Sequence, residues 1–218
     1  MALLAAKTAK VSQPLIKGFL LDVTGVLYNY SPTGLGSAVP GSVKAINRLY
    51  KESQVRFVSN ESATTREVLY NKLTKLGFEL DINHLMTPAP VCAKYLQLEG
   101  LRPHLLVKRE VEVEFAGCDF TNPNVVVMAD CEEEFTHERL NDAFRALRAM
   151  QDPHLITLGA GMFYQRIDGP CLDIGAFAQV LLKATNCKHT IVGKPSKEYF
   201  ITAIEDMGLD KDSVGRFG

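Results

Sequence analysis

Residues 16–27 read Ile16-Lys17-Gly18-Phe19-Leu20-Leu21-Asp22-Val23-Thr24-Gly25-Val26-Leu27. Phe19, Leu20 and Leu21 form an unbroken apolar run within a predicted strand over 16–23. A strand that is apolar on both faces belongs inside a parallel sheet covered on both sides. The run ends on Asp22, and Thr24-Gly25 turns the chain. Closing a buried strand with an Asp is costly unless a metal, a positive charge or hydrogen-bond donors lie beside it. This stretch therefore sets a fold class and nominates a reactive carboxylate.

The pattern continues outward from there. A loop rich in Gly and Pro covers 31–41, and Gly41-Ser42 precede a helix with Val43, Ile46, Leu49 and Tyr50 at helical spacing. Residues 55–58 form a second short apolar strand that ends on Ser59-Asn60. Thr64-Thr65 precede a helix with Val68, Leu69, Leu73 and Leu76 on one face, and Gly77 stops it, as a C-terminal Gly tends to. Strand, helix, strand, helix predicts a parallel α/β sheet. Thr87-Pro88-Ala89-Pro90 breaks the chain before the next helix. Beyond it, 105–107, 125–128, 155–158 and 190–192 read as strands, and 139–150, 177–184 and 199–207 as helices. The block 88–187 reads as an inserted second domain, with 1–87 and 188–218 as a discontinuous core.

Composition narrows the class. Among 218 residues, 46% are hydrophobic and 22% charged, which excludes a disordered or collagen-like chain. Lys and Arg number 24 against 25 Asp and Glu, a formal net charge of -1, so no global charge draws the chain to nucleic acid or an anionic membrane. Cys92, Cys118, Cys131, Cys171 and Cys187 form no CxxC pair and no zinc-ligand spacing. They read as reduced thiols, mostly small buried hydrophobes, in a cytoplasmic protein. The apolar run at 2–6 is broken by Lys7 and is too short for a signal peptide. No run of 18 apolar residues is present to span a membrane.

Chemistry gathers at three strand ends, the edge where open α/β sheets bind ligands. Asp22 can attack phosphorus to form an aspartyl phosphate, or hold Mg²⁺, which favours hard oxygen ligands. Ser59 can offer its hydroxyl and Asn60 its amide to a phosphoryl oxygen, although both also cap helices well. Lys194, between Gly193 and Pro195, can neutralise a phosphate and a nucleophilic carboxylate. It is not in a Walker A loop, which needs GxxxxGK[ST]. Read singly, each has a plain alternative: a turn-capping Asp, a helix cap, a surface Lys.

Together, strand-Asp22-Val23-Thr24-Gly25, strand-Ser59-Asn60 and strand-Gly193-Lys194-Pro195 resemble the haloacid-dehalogenase-like phosphatases, in that family's order. The resemblance implies a Rossmann-like parallel core with a large α/β cap inserted after the second motif. Asp22-Val-Thr-Gly-Val-Leu-Tyr, Ser59-Asn-Glu-Ser, Thr87-Pro-Ala-Pro, Asn122-Pro-Asn-Val-Val-Val and Val192-Gly-Lys-Pro-Ser narrow it further. They resemble the branch acting on P–N and P–O–P bonds, namely phosphohistidine, phospholysine, imidodiphosphate and inorganic pyrophosphate. By this resemblance Asp22 is the nucleophile and a Mg²⁺ ligand, and Thr24 gives the metal its backbone carbonyl. Asp22, Val23, Thr24, Ser59, Asn60 and Lys194 hold the phosphoryl group, with Lys194 also offsetting charge. A homodimer is implied, cytoplasmic and also nuclear, with phosphorylated small molecules or phospho-His and phospho-Lys as partners and neither nucleic acid nor membrane.

Two departures from the family pattern shape the expectation. Most members carry a second Asp two residues after the nucleophile as general acid and base; here that position is Thr24. General acid–base help is worth ~10²–10⁴-fold, so its loss suits leaving groups that need little protonation, such as phosphate or imidazole. The family also carries an acidic Gly-Asp-Asp-type loop after the Lys motif, whereas Ser213-Val214 lead only to Gly215-Arg216-Phe217-Gly218. The expectation is a C-terminally truncated form with an incomplete core and one metal carboxylate fewer. Two other readings stay open at this level: a catalytically weak binding or dimerisation partner, and a phosphatase for small-molecule phosphate esters. Leu172-Asp173-Ile174-Gly175 is a candidate cap segment facing the site, with Asp173 equally able to cap the next helix.

Overall fold

The computed structural model describes residues 15–31, 34–166 and 169–217. The apolar run at 2–6 lies outside the described residues. The chain runs through β1 (Gly18–Leu21), β2 (Tyr28–Asn29), β3 (Ser37–Ala38), α1 (Ser42–Glu52), β4 (Gln54–Val58), α2 (Arg66–Lys75), β5 (Leu85–Met86) and α3 (Pro88–Leu98). Then come β6 (Pro103–Leu106), β7 (Val125–Met128), α4 (His137–Ala149), β8 (His154–Thr157), β9 (Phe163–Arg166) and β10 (Gly169–Leu172). After α5 (Ile174–Thr185) and β11 (Lys188–Ile191) follow α6 (Lys197–Asp206) and β12 (Val214–Phe217).

Two parallel sheets of four strands form the molecule, in the orders β12-β1-β4-β5 and β11-β8-β7-β6. The α/β architecture expected from the strand–helix alternation is observed. In the first sheet, alternate residues serve opposite faces, as the period of two requires. Leu21, Val55 and Phe57 pack with Ile46 of α1 and with Leu69 and Leu73 of α2. Leu20, Val58, Met86 and Val214 pack on the other face with Tyr199, Ala203 and Ile204 of α6. In the second sheet all four residues of β7 are buried, and Leu96, Leu147 and Leu181 of α3, α4 and α5 join the same cluster. Each large apolar side chain buried in these clusters contributes about 1.5–3 kcal/mol.

Local signals place the helices. Thr65 Oγ1 accepts from the Val68 N–H at 3.2 Å and starts α2, and Thr136 does the same for α4 with Arg139. The Thr87-Pro88-Ala89-Pro90 stretch, expected as a break, is instead the start of α3: Pro88 is its first residue, where a missing N–H and a fixed φ are no handicap. α3 joins the two halves, since Ala89, Cys92 and Leu96 enter the second cluster while Val91 packs on the first sheet's α6 face. Among the described residues no helix is long and apolar enough to cross a membrane.

The boundary expected at 187/188 is corrected by the sheet topology. β11 pairs parallel with β8, with Lys188 opposite His154 and Ile191 opposite Thr157. It is an edge strand of the second sheet, not a strand of the first. One side of it is hydrogen-bonded to β8, and the Val192 N–H still donates to the Thr157 carbonyl at 2.8 Å, so the chain leaves the second sheet only at Gly193. All five cysteines are free, with Cys92 and Cys131 buried and the other three half-buried. Burial pushes the Cys131 thiol up to about 12.

Candidate active site

Asp22 leaves the carboxyl end of β1, and Ser59-Asn60 leave the carboxyl end of β4, its hydrogen-bonded neighbour. Parallel pairing thus puts both motifs on one edge. Ser59 is buried; its N–H donates to the Met86 carbonyl at 3.0 Å and its Oγ accepts from the Glu61 N–H at 3.1 Å. The hydroxyl proton is left to donate towards a ligand. Below it, the buried Tyr199 hydroxyl donates to the Ser59 carbonyl at 2.9 Å. Arg56, buried in β4, holds α6 in place by an ion pair to Asp206 and a hydrogen bond to the Asp206 carbonyl at 3.0 Å.

Lys194 arrives from the second sheet's side. The Asn60 side chain grips its main chain twice: Nδ2 donates to the Lys194 carbonyl at 2.9 Å, and the Lys194 N–H donates to Oδ1 at 2.7 Å. Gly193 makes this approach possible, with φ at +122° and a site for Cβ only 3.0 Å from Asn60 Oδ1. Lys194 Nζ then reaches Asp22 Oδ1 at 2.5 Å. The Val23 N–H donates to the same carboxylate oxygen at 2.7 Å. Asp22 therefore has the charge and the donor that a strand-end carboxylate requires. Val23, expected at the phosphate, has a fully buried side chain and an amide already engaged by Asp22. Asn60 likewise acts first on Lys194, which leaves one amide N–H for a ligand.

These groups line one side of a cavity of about 600 Å³ between the two sheets. Asp22, Thr24, Ser59, Asn60 and Lys194 share it with Glu61 and Lys72 from the first half and with Asp130, Glu132, Tyr164 and Asp173 from the second. Burial raises Asp130 to about 6, against a hydrogen bond from the Glu132 N–H and with Asp173, Glu132 and Glu61 adding like charge. Burial also raises Glu61 and Asp173, each partly opposed by a backbone N–H. Asp173 both lines the cavity and starts α5, accepting from the Ile174 N–H at 2.7 Å. Both readings of that residue hold. Among the described residues, no group of three or more His, Cys, Asp or Glu side chains converges as a ready metal centre.

The model of the haloacid dehalogenase-like hydrolase family matches residues 19–121. The phospholysine phosphohistidine inorganic pyrophosphate phosphatase of Danio rerio is 42% identical over 204 residues, which cover 93% of this chain and 75% of that protein. The Homo sapiens protein of the same name is 41% identical with the same coverage. The chain belongs to the haloacid dehalogenase-like hydrolases. It is a hydrolase of the phosphatase type, as the names of these relatives indicate. The human haloacid dehalogenase-like hydrolase domain-containing protein 2 is 33% identical over 93% of the chain and 76% of that protein. Two solved structures share the fold: the p-nitrophenyl phosphatase from Archaeoglobus fulgidus and the 4-nitrophenylphosphatase from Thermotoga maritima. Each has a TM-score of 0.80 and covers 92% of this chain and 77% of its own, at 23% and 22% identity.

For a hydrolase of this family, the sequence motifs located one side of the cavity, and of the other side only Asp173. Asp130 follows the wholly apolar β7 after one Ala, much as Asp22 follows β1. The same strand-end signal would have found it. Tyr164 lies on β9, whose alternating exposed pattern carries no apolar run. Lys72 sits on α2 as one more helix-surface lysine. Neither had a signal in the sequence.

Proposed function

We propose that this chain is a Mg²⁺-dependent phosphatase that cleaves P–N and P–O–P bonds through an aspartyl phosphate on Asp22. The observation that carries the reading is the Asp22 carboxylate held 2.5 Å from Lys194 Nζ, with the Ser59 hydroxyl on the adjoining strand end. A carboxylate oriented by a cation and a backbone N–H is positioned to attack phosphorus, while Lys194, Ser59 and the free Asn60 N–H receive the phosphoryl oxygens. Positioning and electrostatics are the main catalytic resources in phosphoryl transfer.

The donors present fit Mg²⁺ in kind. The Asp22 carboxylate and the Thr24 carbonyl are hard oxygen ligands. The Thr24 carbonyl is not used by the bridge at this turn, whose two hydrogen bonds run from Tyr28 N–H to the Val23 carbonyl and from Gly25 N–H to the Tyr28 carbonyl. The cavity also brings five carboxylates, Asp22, Glu61, Asp130, Glu132 and Asp173, against two ammonium groups, Lys72 and Lys194. A dianionic phosphate entering that excess of negative charge is favoured by a cation, and bound Mg²⁺ would supply the neutralisation.

The substrate class rests on two supports. The relatives carry phospholysine, phosphohistidine and inorganic pyrophosphate in their names. Thr24 stands where an acid would assist a basic alkoxide to leave, and imidazole, with a pKa of about 6.5, needs less help. Phosphate release from imidodiphosphate, measured with and without EDTA, tests the reading. Release is expected to stop in EDTA and in Asp22→Asn. Release that survives either change sinks the mechanism.

A further inference from the structure

Thr24 leaves the nucleophile's own loop without a titratable proton donor, yet one named substrate type cannot depart without one. Without an added proton the lysine nitrogen would leave phosphorus as an amide anion, far more basic than the neutral amine whose conjugate acid has a pKa of about 10.4, so a proton must reach nitrogen as the bond breaks. We infer that Asp130, from the second sheet, is the general acid that protonates such a basic leaving group. This rests on the phosphatase reading above and deepens it.

Position supports the assignment. Asp130 lies just past the carboxyl end of β7 and lines the same cavity as Asp22. Its backbone N–H donates to the Ser62 hydroxyl at 3.2 Å, and Ser62 is buried in the loop that also carries Ser59 and Asn60. One hydrogen bond thus ties the proposed acid to the phosphate loop across the junction of the two halves. Asp130 Oδ1 accepts from the Glu132 N–H at 3.0 Å, which orients the carboxyl group.

Four acids besides Asp22 line the cavity, and the surroundings favour the proton on Asp130. Glu132 is ion-paired with Lys108. Glu61 accepts from the Ala63 N–H at 2.9 Å and feels the Lys72 charge. Asp173 accepts from Ile174 at the start of α5. Asp130 meets Asp173, Glu132 and Glu61, all acidic, with Tyr164 of β9 also within its field and no cation among these neighbours. Like charge and burial favour the neutral acid.

The step balances in both halves. An Asp22 carboxylate oxygen forms a bond to phosphorus as the P–N bond breaks. The bonding pair goes to nitrogen, which takes the Asp130 proton. Water then attacks the aspartyl phosphate, its proton passes to the Asp130 carboxylate, and the P–O pair returns to Asp22. Phosphate and amine leave, and both carboxyl groups are restored.

The test compares Asp130→Asn with the unmodified chain on N-phospholysine and on p-nitrophenyl phosphate, whose nitrophenolate leaves without a proton. The expected result is a fall of ~10²-fold or more in the single-turnover rate of amine release from N-phospholysine, the usual scale of general acid help, with the burst of nitrophenolate from p-nitrophenyl phosphate, which precedes the water step, within about threefold. The unmodified chain should also lose N-phospholysine activity as pH rises through about 6, and the variant should lack that limb. Ser62→Ala, which removes the hydroxyl without touching the carboxyl group, should show the same substrate bias more weakly. Equal losses on both substrates, or no loss on N-phospholysine, overturn the inference while leaving the phosphatase reading standing. If the unmodified chain releases phosphate from neither substrate, the phosphatase reading fails and the inference with it.

Discussion

Asn60 and Lys194 hold each other by reciprocal hydrogen bonds: the Asn60 amide donates to the Lys194 carbonyl at 2.9 Å and accepts from the Lys194 N–H at 2.7 Å. A side-chain amide here takes the part of a neighbouring strand's backbone. It is needed because β11, which leads into Lys194, is paired in the other sheet. No strand of the first sheet carries Lys194 to Asp22, and Asn60 makes the connection.

Asn60→Ala should therefore act through Lys194. Both hydrogen bonds are lost at an exposed position, each worth about 0.5–1.5 kcal/mol net. The expected result is a modest drop in urea stability and a drop in kcat larger than the change in KM, because the cation loses its register on Asp22. Urea titration and steady-state kinetics on imidodiphosphate check it. Unchanged kcat would show that Lys194 finds Asp22 unaided.

Lys194→Met should remove the charge while keeping the side chain's length. The Asp22 carboxylate loses the cation at 2.5 Å, and the transferring phosphoryl group loses a fixed donor. Loss of one such preorganised donor costs about 10²–10³-fold in turnover. Single-turnover phosphate release measures it, and a loss under threefold would remove Lys194 from the charge-offsetting role.

Gly193→Ala should destabilise the fold. Its φ of +122° strains any side chain, and the new Cβ would sit 3.0 Å from Asn60 Oδ1 and 3.3 Å from Pro88 Cγ. Strain of this kind costs about 1–3 kcal/mol. Thermal or urea denaturation reads the loss, accompanied by weaker activity because Asn60 is pushed off Lys194.

Tyr199→Phe isolates the support beneath Ser59. The Ser59 carbonyl loses its donor in a buried setting, which costs about 1–3 kcal/mol. Ser59 then gains freedom, so affinity for inorganic phosphate as a competitive inhibitor should weaken alongside stability. Unchanged stability would mean that another donor replaces the hydroxyl.

Asp130→Asn should stabilise the protein at neutral pH. The folded state raises Asp130 from an ordinary 3.8 to about 6, chiefly by burial. The group favours folding fully below about 3.8, and that contribution is lost as pH rises through about 6. Asn carries no such penalty, so the variant's advantage should be on the order of 3 kcal/mol at pH 7.5 and fall below about 1 kcal/mol near pH 4. Denaturation curves at the two pH values decide it. An advantage that persists at pH 4 would locate the effect in packing and not in charge.

The amino-acid pattern alone determined that Leu20-Leu21-Asp22 is a buried strand end and that 55–58 is a second strand of the same parallel kind, because unbroken apolar runs of that length between helical patterns admit few other structures; that the two are neighbours came from the fold. It also nominated Asp22, Ser59 and Lys194, because carboxylate, hydroxyl and ammonium groups at strand ends have a restricted chemistry. Tertiary structure decided what pairing and proximity require. A strand such as β11, Lys188-His189-Thr190-Ile191, can pair along any free parallel edge, and its residues do not say which sheet offers one; it pairs with β8. Asn60 could equally have capped a helix, and only the arrival of the Lys194 backbone at its side chain gives it the clamp. Asp130 could have been a solvated turn residue, and its proton affinity comes from burial and from Asp173, Glu132 and Glu61, brought together only when the two sheets close on one cavity. Covalent sequence carries side-chain chemistry, whereas dielectric surroundings and distances between remote residues exist only in the folded chain.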